Sequence, residues 1–293
     1  MNVTTQEIAS QPDVWQRAVA LAAEAGPHLT APGERVLFLG CGTSWFVAQS
    51  LATLREGAGL GESDYWCASE YRGGRTYDRV VAITRSGTTT EVLDVLRGIP
   101  SGTRRTLVTA VDGMPAEALA DDRILLDFAD EKSVVQTRFP TATLALARTA
   151  FGTGTDGLIE DGRTAVTQAL PAVPEGEPAH VVFLGTGWTI GLAHEAALKV
   201  REAAQGWSES YPAMDYRHGP IAVSGSRTLV WSFGPLPDGL AEDVAGAGAA
   251  RYESSLDPLA QLVLAQRLAV ALAEARGLNP DAPRLLTRSV VLT

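Results

Sequence analysis

The sequence predicts an α/β protein built from two doubly wound parallel sheets, each flanked by helices. Three observations carry that expectation. Short apolar runs alternate with segments of helical spacing along most of the chain. The segment RVLFLGCGTSWFVAQSLATL, from Arg35, reads as strand, glycine turn and helix. A similar segment, HVVFLGTGWTIGLAHEAALK, begins at His180, 145 residues later in a chain of 293, and marks an internal repeat.

Composition bounds the function. With 293 residues, 45% of them hydrophobic, the chain can hold one large domain or two small ones. It has no run of eighteen apolar residues, so no transmembrane helix and no membrane partner are expected. The start, MNVTTQEIASQPD, lacks the basic and apolar regions of a signal peptide. Cys41 and Cys67 are the two cysteines, which suits a reducing cytoplasm and offers no disulfide framework or metal motif. A net charge of −10 argues against nucleic acid as a partner. A small anion would need a pocket whose local donors outweigh that field.

The elements follow in order. Residues 1–34 read as a helical lead-in, with Glu7, Ile8, Val14, Trp15 and Val19 on one face and a break at Pro12. Trp15 reads as a core or interface anchor. A first domain spans 35–153. Val36 to Leu39 is a continuous apolar run, as in a strand buried on both faces. Gly40, Cys41, Gly42, Thr43 and Ser44 form the turn, and Trp45 to Glu56 the helix. Free amides with the Thr43 and Ser44 hydroxyls at a helix N-terminus make an anion site. An ordinary N-cap serine would give the same pattern, and the third glycine of a dinucleotide fingerprint is missing.

A second strand is expected at Tyr65–Glu70, a third at Val80–Thr84, and a helix at Thr89–Arg97. Between the last two stand Thr84, Arg85, Ser86, Gly87, Thr88 and Thr89. Four hydroxyls and an arginine at one helix N-terminus would cradle a phosphate monoester, whereas a cap needs one hydroxyl. Strands at Thr106–Val111 and Arg123–Phe128 precede the segment that carries Gln136, a further binding candidate, and an alanine-rich helix at Thr141–Phe151. Gly and Pro mark a linker at 154–178, with a short helix at 160–170.

A second domain spans 179–293. Its long helix carries Lys199 and Glu202, three apart and on one face. Sixteen residues after Glu202 comes His218, between Arg217 and Gly219-Pro220. Alone, a Lys-x-x-Glu pair is a surface ion pair and RHGP a turn. Where the hydroxyl loop should recur, the chain has WSFGPLPDG (Trp231–Gly239), which cannot donate hydroxyls in the same way. The first half would therefore bind the phosphate and the second bring the chemistry. Leu259–Gly277 reads as a long apolar helix of the core or a dimer surface, and the tail ends in a strand-like stretch.

Together GCGTS, the SGT loop, LKVRE…HGP and PRLLTRSV resemble the sugar isomerase (SIS) domain family over nearly the whole chain. The likeness is to the isomerase half of glucosamine-fructose-6-phosphate aminotransferase and its relatives, which include amino-sugar-phosphate deaminases and fructoselysine-6-phosphate deglycases. The resemblance implies two tandem flavodoxin-like domains, a homodimer, and a phosphosugar held by donors at Ser44, Thr84, Ser86 and Thr89. It implies Glu202 as general base, Lys199 as the helical lysine, and His218 as the ring-opening residue, supplied by the neighbouring subunit. The chain also departs from the synthases. The glutaminase half is missing and no Cys follows Met1, so glutamine is not expected as the nitrogen source within this chain. Arg85 and Thr88 stand where those relatives usually carry Gln and Glu. Arg288 stands where the synthase has a lysine; Arg can clamp an anion but cannot lose its proton or form an imine. The expected activity is aldose–ketose isomerisation of an amino-sugar 6-phosphate with ammonia release, without metal or redox cofactor. A non-catalytic phosphosugar sensor and a fructosamine-6-phosphate deglycase are the alternatives.

Overall fold

The computed structural model describes residues 2–174 and 180–292 and contains two parallel sheets flanked by helices. The chain forms two compact units, one of residues 10–156 with the tail from Thr287, the other of residues 2–9 and 157–286. The lead-in is two helices, α1 (Val3–Ala9) and α2 (Gln11–Leu29), divided between the units. Pro12 sits in the first turn of α2, where its missing N–H has no intrahelical partner to lose, so it starts a helix rather than breaking one. Trp15 is fully buried and its indole donates to Thr141 Oγ1 at 2.8 Å.

In the first unit the order of elements is β1 (Val36–Gly40), α3 (Thr43–Gly57), β2 (Ser63–Cys67), β3 (Arg79–Ile83), α4 (Thr90–Gly98), β4 (Arg104–Thr109), β5 (Asp122–Leu125) and α5 (Arg138–Ala150). The sheet runs β2-β1-β3-β4-β5, all parallel. Every residue of β1 and β3 is buried, which explains their unbroken apolar runs. The order reverses between β1 and β3, and a doubly wound sheet opens its binding crevice at the carboxyl ends of such a pair. The edge strand β2 lies at Ser63–Cys67 rather than Tyr65–Glu70, with a 3₁₀ turn at Ala68–Glu70; its half-exposed side chains give a weak pattern. β5 stops at Leu125, and Asp127–Ala129 is another such turn. α5 begins three residues before Thr141, because the buried Glu131 carboxylate accepts from the amides of Thr137 at 2.5 Å and Arg138 at 2.8 Å.

The second unit holds α6 (Leu158–Thr167), β6 (His180–Gly185), α7 (Thr189–Ala204), β7 (Trp207–Pro212), β8 (Thr228–Phe233), α8 (Leu240–Gly246), β9 (Ala250–Tyr252) and α9 (Pro258–Ala275). Its parallel sheet runs β7-β6-β8-β9. Trp231 to Phe233 complete β8, so the loop that follows is Gly234–Gly239. α9 is long and apolar enough to cross a membrane by length and composition, but 67% of it is buried, against α6 and α7 among others. α6 falls inside the stretch expected as a linker, and residues 175–178 of that stretch lie outside the described residues. The tail, expected in the second domain, packs with the first unit and forms no strand.

The sequence repeat is also a structural one. Gly42 and Gly187, 145 apart, have φ of 54° and 58°. A Cβ on Gly40 would lie 2.5 Å from the Ser44 Cβ, and one on Gly185 would lie 2.4 Å from the Thr189 carbonyl oxygen. In both places the first helical turn crosses the strand end too closely for a side chain. Gly185→Ala is expected to cost about 2 kcal/mol of stability. Urea unfolding would read this as a lower midpoint at unchanged slope.

Candidate functional site

The hydroxyl-rich loop follows β3 in the first unit and opens α4. Gly87 turns it with φ of 66°, and a Cβ there would lie 2.6 Å from the Met114 Cβ. Thr84 and Thr89 hydroxyls are 3.2 Å apart, and Thr88 Oγ1 donates to Ser86 Oγ at 3.0 Å. Four hydroxyls therefore surround the start of α4, two pairs that bond to each other. On the adjacent strand, Gly42 precedes the first turn of α3, and Thr43 and Ser44 open that helix, both buried. Since β1 and β3 are hydrogen-bonded neighbours, these glycine and hydroxyl turns share the carboxyl edge at the reversal point.

The two arginines link segments of the first unit. Arg85 is 2% exposed; its Nη1 donates to the Ser133 carbonyl at 3.1 Å and its Nη2 to the Arg288 carbonyl at 2.7 Å. It joins the loop, the segment before α5 and the tail. Arg288 donates to the Glu131 carbonyl at 2.5 Å and pairs with Asp130. Gln136 is half-buried, and its Oε1 is buried without a hydrogen-bond partner among the described residues. In this unit two residues escaped the sequence reading. Glu131 caps α5 from six residues upstream, a non-local contact that no short motif announces. Ser289 lies with its Oγ 3.0 Å from Ser86 Oγ and 2.9 Å from Thr88 Oγ1.

In the second unit α7 carries a buried charge cluster. Lys199 is 1% exposed, and its ammonium lies 3.2 Å from Glu195 Oε1 and 2.6 Å from Glu202 Oε2. Burial alone would favour the neutral amine, but attraction to Glu195 and Glu202 outweighs it and raises the pKa above its ordinary 10.5. Lys199 is thus a fixed positive charge at neutral pH, not a base. Glu195 is 2% exposed, whereas the Glu202 side chain keeps 19% of its surface open. Glu202 is the end of the cluster that a ligand can reach. Glu195 was missed, although its four-residue spacing from Lys199 was visible in HEAALK.

His218 ends a 3₁₀ turn at Asp215–His218 and is exposed. Its neighbours fix its place. Tyr216 is buried with Val182, Val230 and Leu240, on the face of the sheet that packs α8. Arg217 binds the Asp243 carboxylate and the Asp238 carbonyl, both at 2.7 Å. This is beyond the carboxyl end of β7. α7 starts at that edge with Thr189 and runs back, so Glu202, 13 residues on, lies about 20 Å along the helix. Within one copy of the chain the imidazole and the carboxylate are not brought together.

No family model matches the chain. The glutamine–fructose-6-phosphate aminotransferase (isomerizing) of Sulfolobus acidocaldarius is 27% identical over 88% of this chain and 50% of its own length. The chain thus spans about half the length of the curated relatives it matches. A glucosamine-6-phosphate deaminase structure from Thermotoga maritima superposes with a TM-score of 0.79 and 26% identity, covering 99% of this chain and 100% of that one. The C-terminal domain of glucosamine-fructose-6-phosphate aminotransferase from Francisella tularensis has the same fold, with a TM-score of 0.79, 18% identity and coverage of 97% and 98%. The chain resembles the SIS proteins, and within them the isomerase half of that aminotransferase.

The charge cluster makes a stability prediction. Lys199→Met would leave Glu195 buried without its cation and is expected to destabilise the protein by about 3–5 kcal/mol. Adding Glu195→Gln should recover part of that loss. A double-mutant cycle in urea would show the coupling.

Proposed function

We propose that the chain is a phosphosugar isomerase that acts on an amino-sugar 6-phosphate and releases ammonia. The observation that carries this reading is the Glu202 carboxylate, reachable from outside and gripped at 2.6 Å by a buried ammonium. An ordinary surface pair would have both partners in water. The likeness to glucosamine-6-phosphate deaminase over the full chain supports the substrate class.

In the proposed reaction the hydroxyls of Thr84, Ser86, Thr88 and Thr89, with Ser44, bind the phosphate, and this remote binding positions the reacting carbons. His218 moves a proton from O1 to the ring oxygen and opens the ring. Glu202 takes the C2 proton and returns it to C1. Lys199 balances the negative charge that builds up on the enolic intermediate. With nitrogen on C2 the shift yields a ketimine; water adds to its carbon, ammonia leaves, and a ketose phosphate remains. The separation of His218 from Glu202 within one copy favours a homodimer in which the histidine serves the partner's site. The two sheets are, in this reading, tandem copies of one domain, the first kept for phosphate and the second for chemistry. Arg288, engaged with Asp130 and Glu131, orders the tail and does no proton transfer.

The test is an assay of ammonia and ketose phosphate with glucosamine 6-phosphate. Wild type is expected to release both, and Glu202→Gln to lose about 10²–10⁴-fold in rate while keeping its thermal shift with the ligand. Binding of a sugar-phosphate panel without turnover of any member would replace this reading by a sensor.

A further inference from the structure

The tail that leaves the second unit at Thr287 lies on the hydroxyl loop of the first unit, to which it belongs by packing. It takes up the donors that a phosphate would use. Ser86, Thr88 and Ser289 hydroxyls form a triangle with sides of 3.0, 2.9 and 3.0 Å. The first amide of the nine-residue helix α4, on Thr90, donates to the Val290 carbonyl at 3.3 Å. Leu292 N donates back to Thr90 Oγ1 at 2.9 Å. A hydroxyl and a carbonyl of the tail thus stand where oxygens of an anion would accept at a helix N-terminus.

The strap is held in a way that permits its release. The side chains of Val290, Val291 and Leu292 are 51%, 59% and 63% exposed, so little apolar burial secures this end. The bonds that Ser289, Val290 and Leu292 make to the loop are between neutral groups, whereas a phosphate would make charge-assisted bonds to the same donors, roughly twice as strong. Arg85, holding the Arg288 carbonyl at 2.7 Å, anchors the strap just before Ser289 and keeps it beside the loop when its end lifts.

We propose that Ser289 occupies the phosphate subsite of the ligand-free chain and sets its affinity, a phosphate binding by displacing Ser289 and the Val290 carbonyl from the loop. This rests on the phosphate-binding role given to the loop under Proposed function.

Calorimetric titration of the full chain with inorganic phosphate tests it. Ser289→Ala is expected to bind phosphate about fivefold more tightly than wild type, and Ser86→Ala in that background to lose the gain. Saturating phosphate should also speed hydrogen exchange at the Leu292 amide. Equal affinity in wild type and Ser289→Ala, with binding still lost in Ser86→Ala, would overturn the proposal and leave the loop as the phosphate site. Weaker binding by Ser289→Ala, with slower exchange at Leu292, would make Ser289 a ligand instead of a competitor. No binding to any of these proteins would remove the loop's phosphate role and this proposal with it.

Discussion

Both sheets depend on a close approach between a strand end and the helix that follows it. At Gly40 and Gly185 the next helix crosses so near that a Cβ would sit about 2.5 Å from its first turn. That contact fixes where α3 and α7 begin and how each is rotated about its axis. Because an α-helix advances by a fixed angle per residue, the start of α7 also decides which side chains point inward ten and thirteen residues later. Lys199 is buried and Glu202 half-open as a consequence of that phase. Each such joint gives its sheet a carboxyl edge with a glycine turn; the chain after β3 carries hydroxyls there and the chain after β8 prolines.

The charged residues separate by what they bond to. Arg85 and Arg288 each donate to backbone carbonyls and each also faces one carboxylate, Glu131 and Asp130 respectively, so their charge ties segments of backbone together. Lys199 faces two carboxylates in a nearly dry setting, and there the same unit charge is held as a fixed field. Glu131 and Glu195 are both buried acids, yet one caps a helix and the other balances an ammonium. Residue type alone would not distinguish these pairs; the partner at each atom does.

The proposed chemistry and the strap are connected through α4. The strap contacts the hydroxyls and the first amide of that helix, the same groups proposed to fix the phosphate end of a substrate. Control of access to those donors would control how long a sugar remains positioned for proton transfer.

Several of these features are legible in the sequence alone. The continuous apolar runs of β1, β3 and β6 could only be strands buried on both faces, and the 145-residue repeat announced a second sheet. The hydroxyls after β3 and the Lys199–Glu202 pair were readable because both depend on spacing within one turn or one helix. What the tertiary structure decided are contacts between residues distant in sequence or bound by single atoms. The tail lies on the first unit's loop some 200 residues away, through Ser289 and backbone atoms that carry no pattern. Arg85 turns toward carbonyls because Ser133 and Arg288 are brought to it by the fold. His218 lies at the far end of α7 from Glu202 because the chain must run the length of β7 between them. Local periodicity sets elements and faces; the route the chain takes between elements sets which functional groups meet.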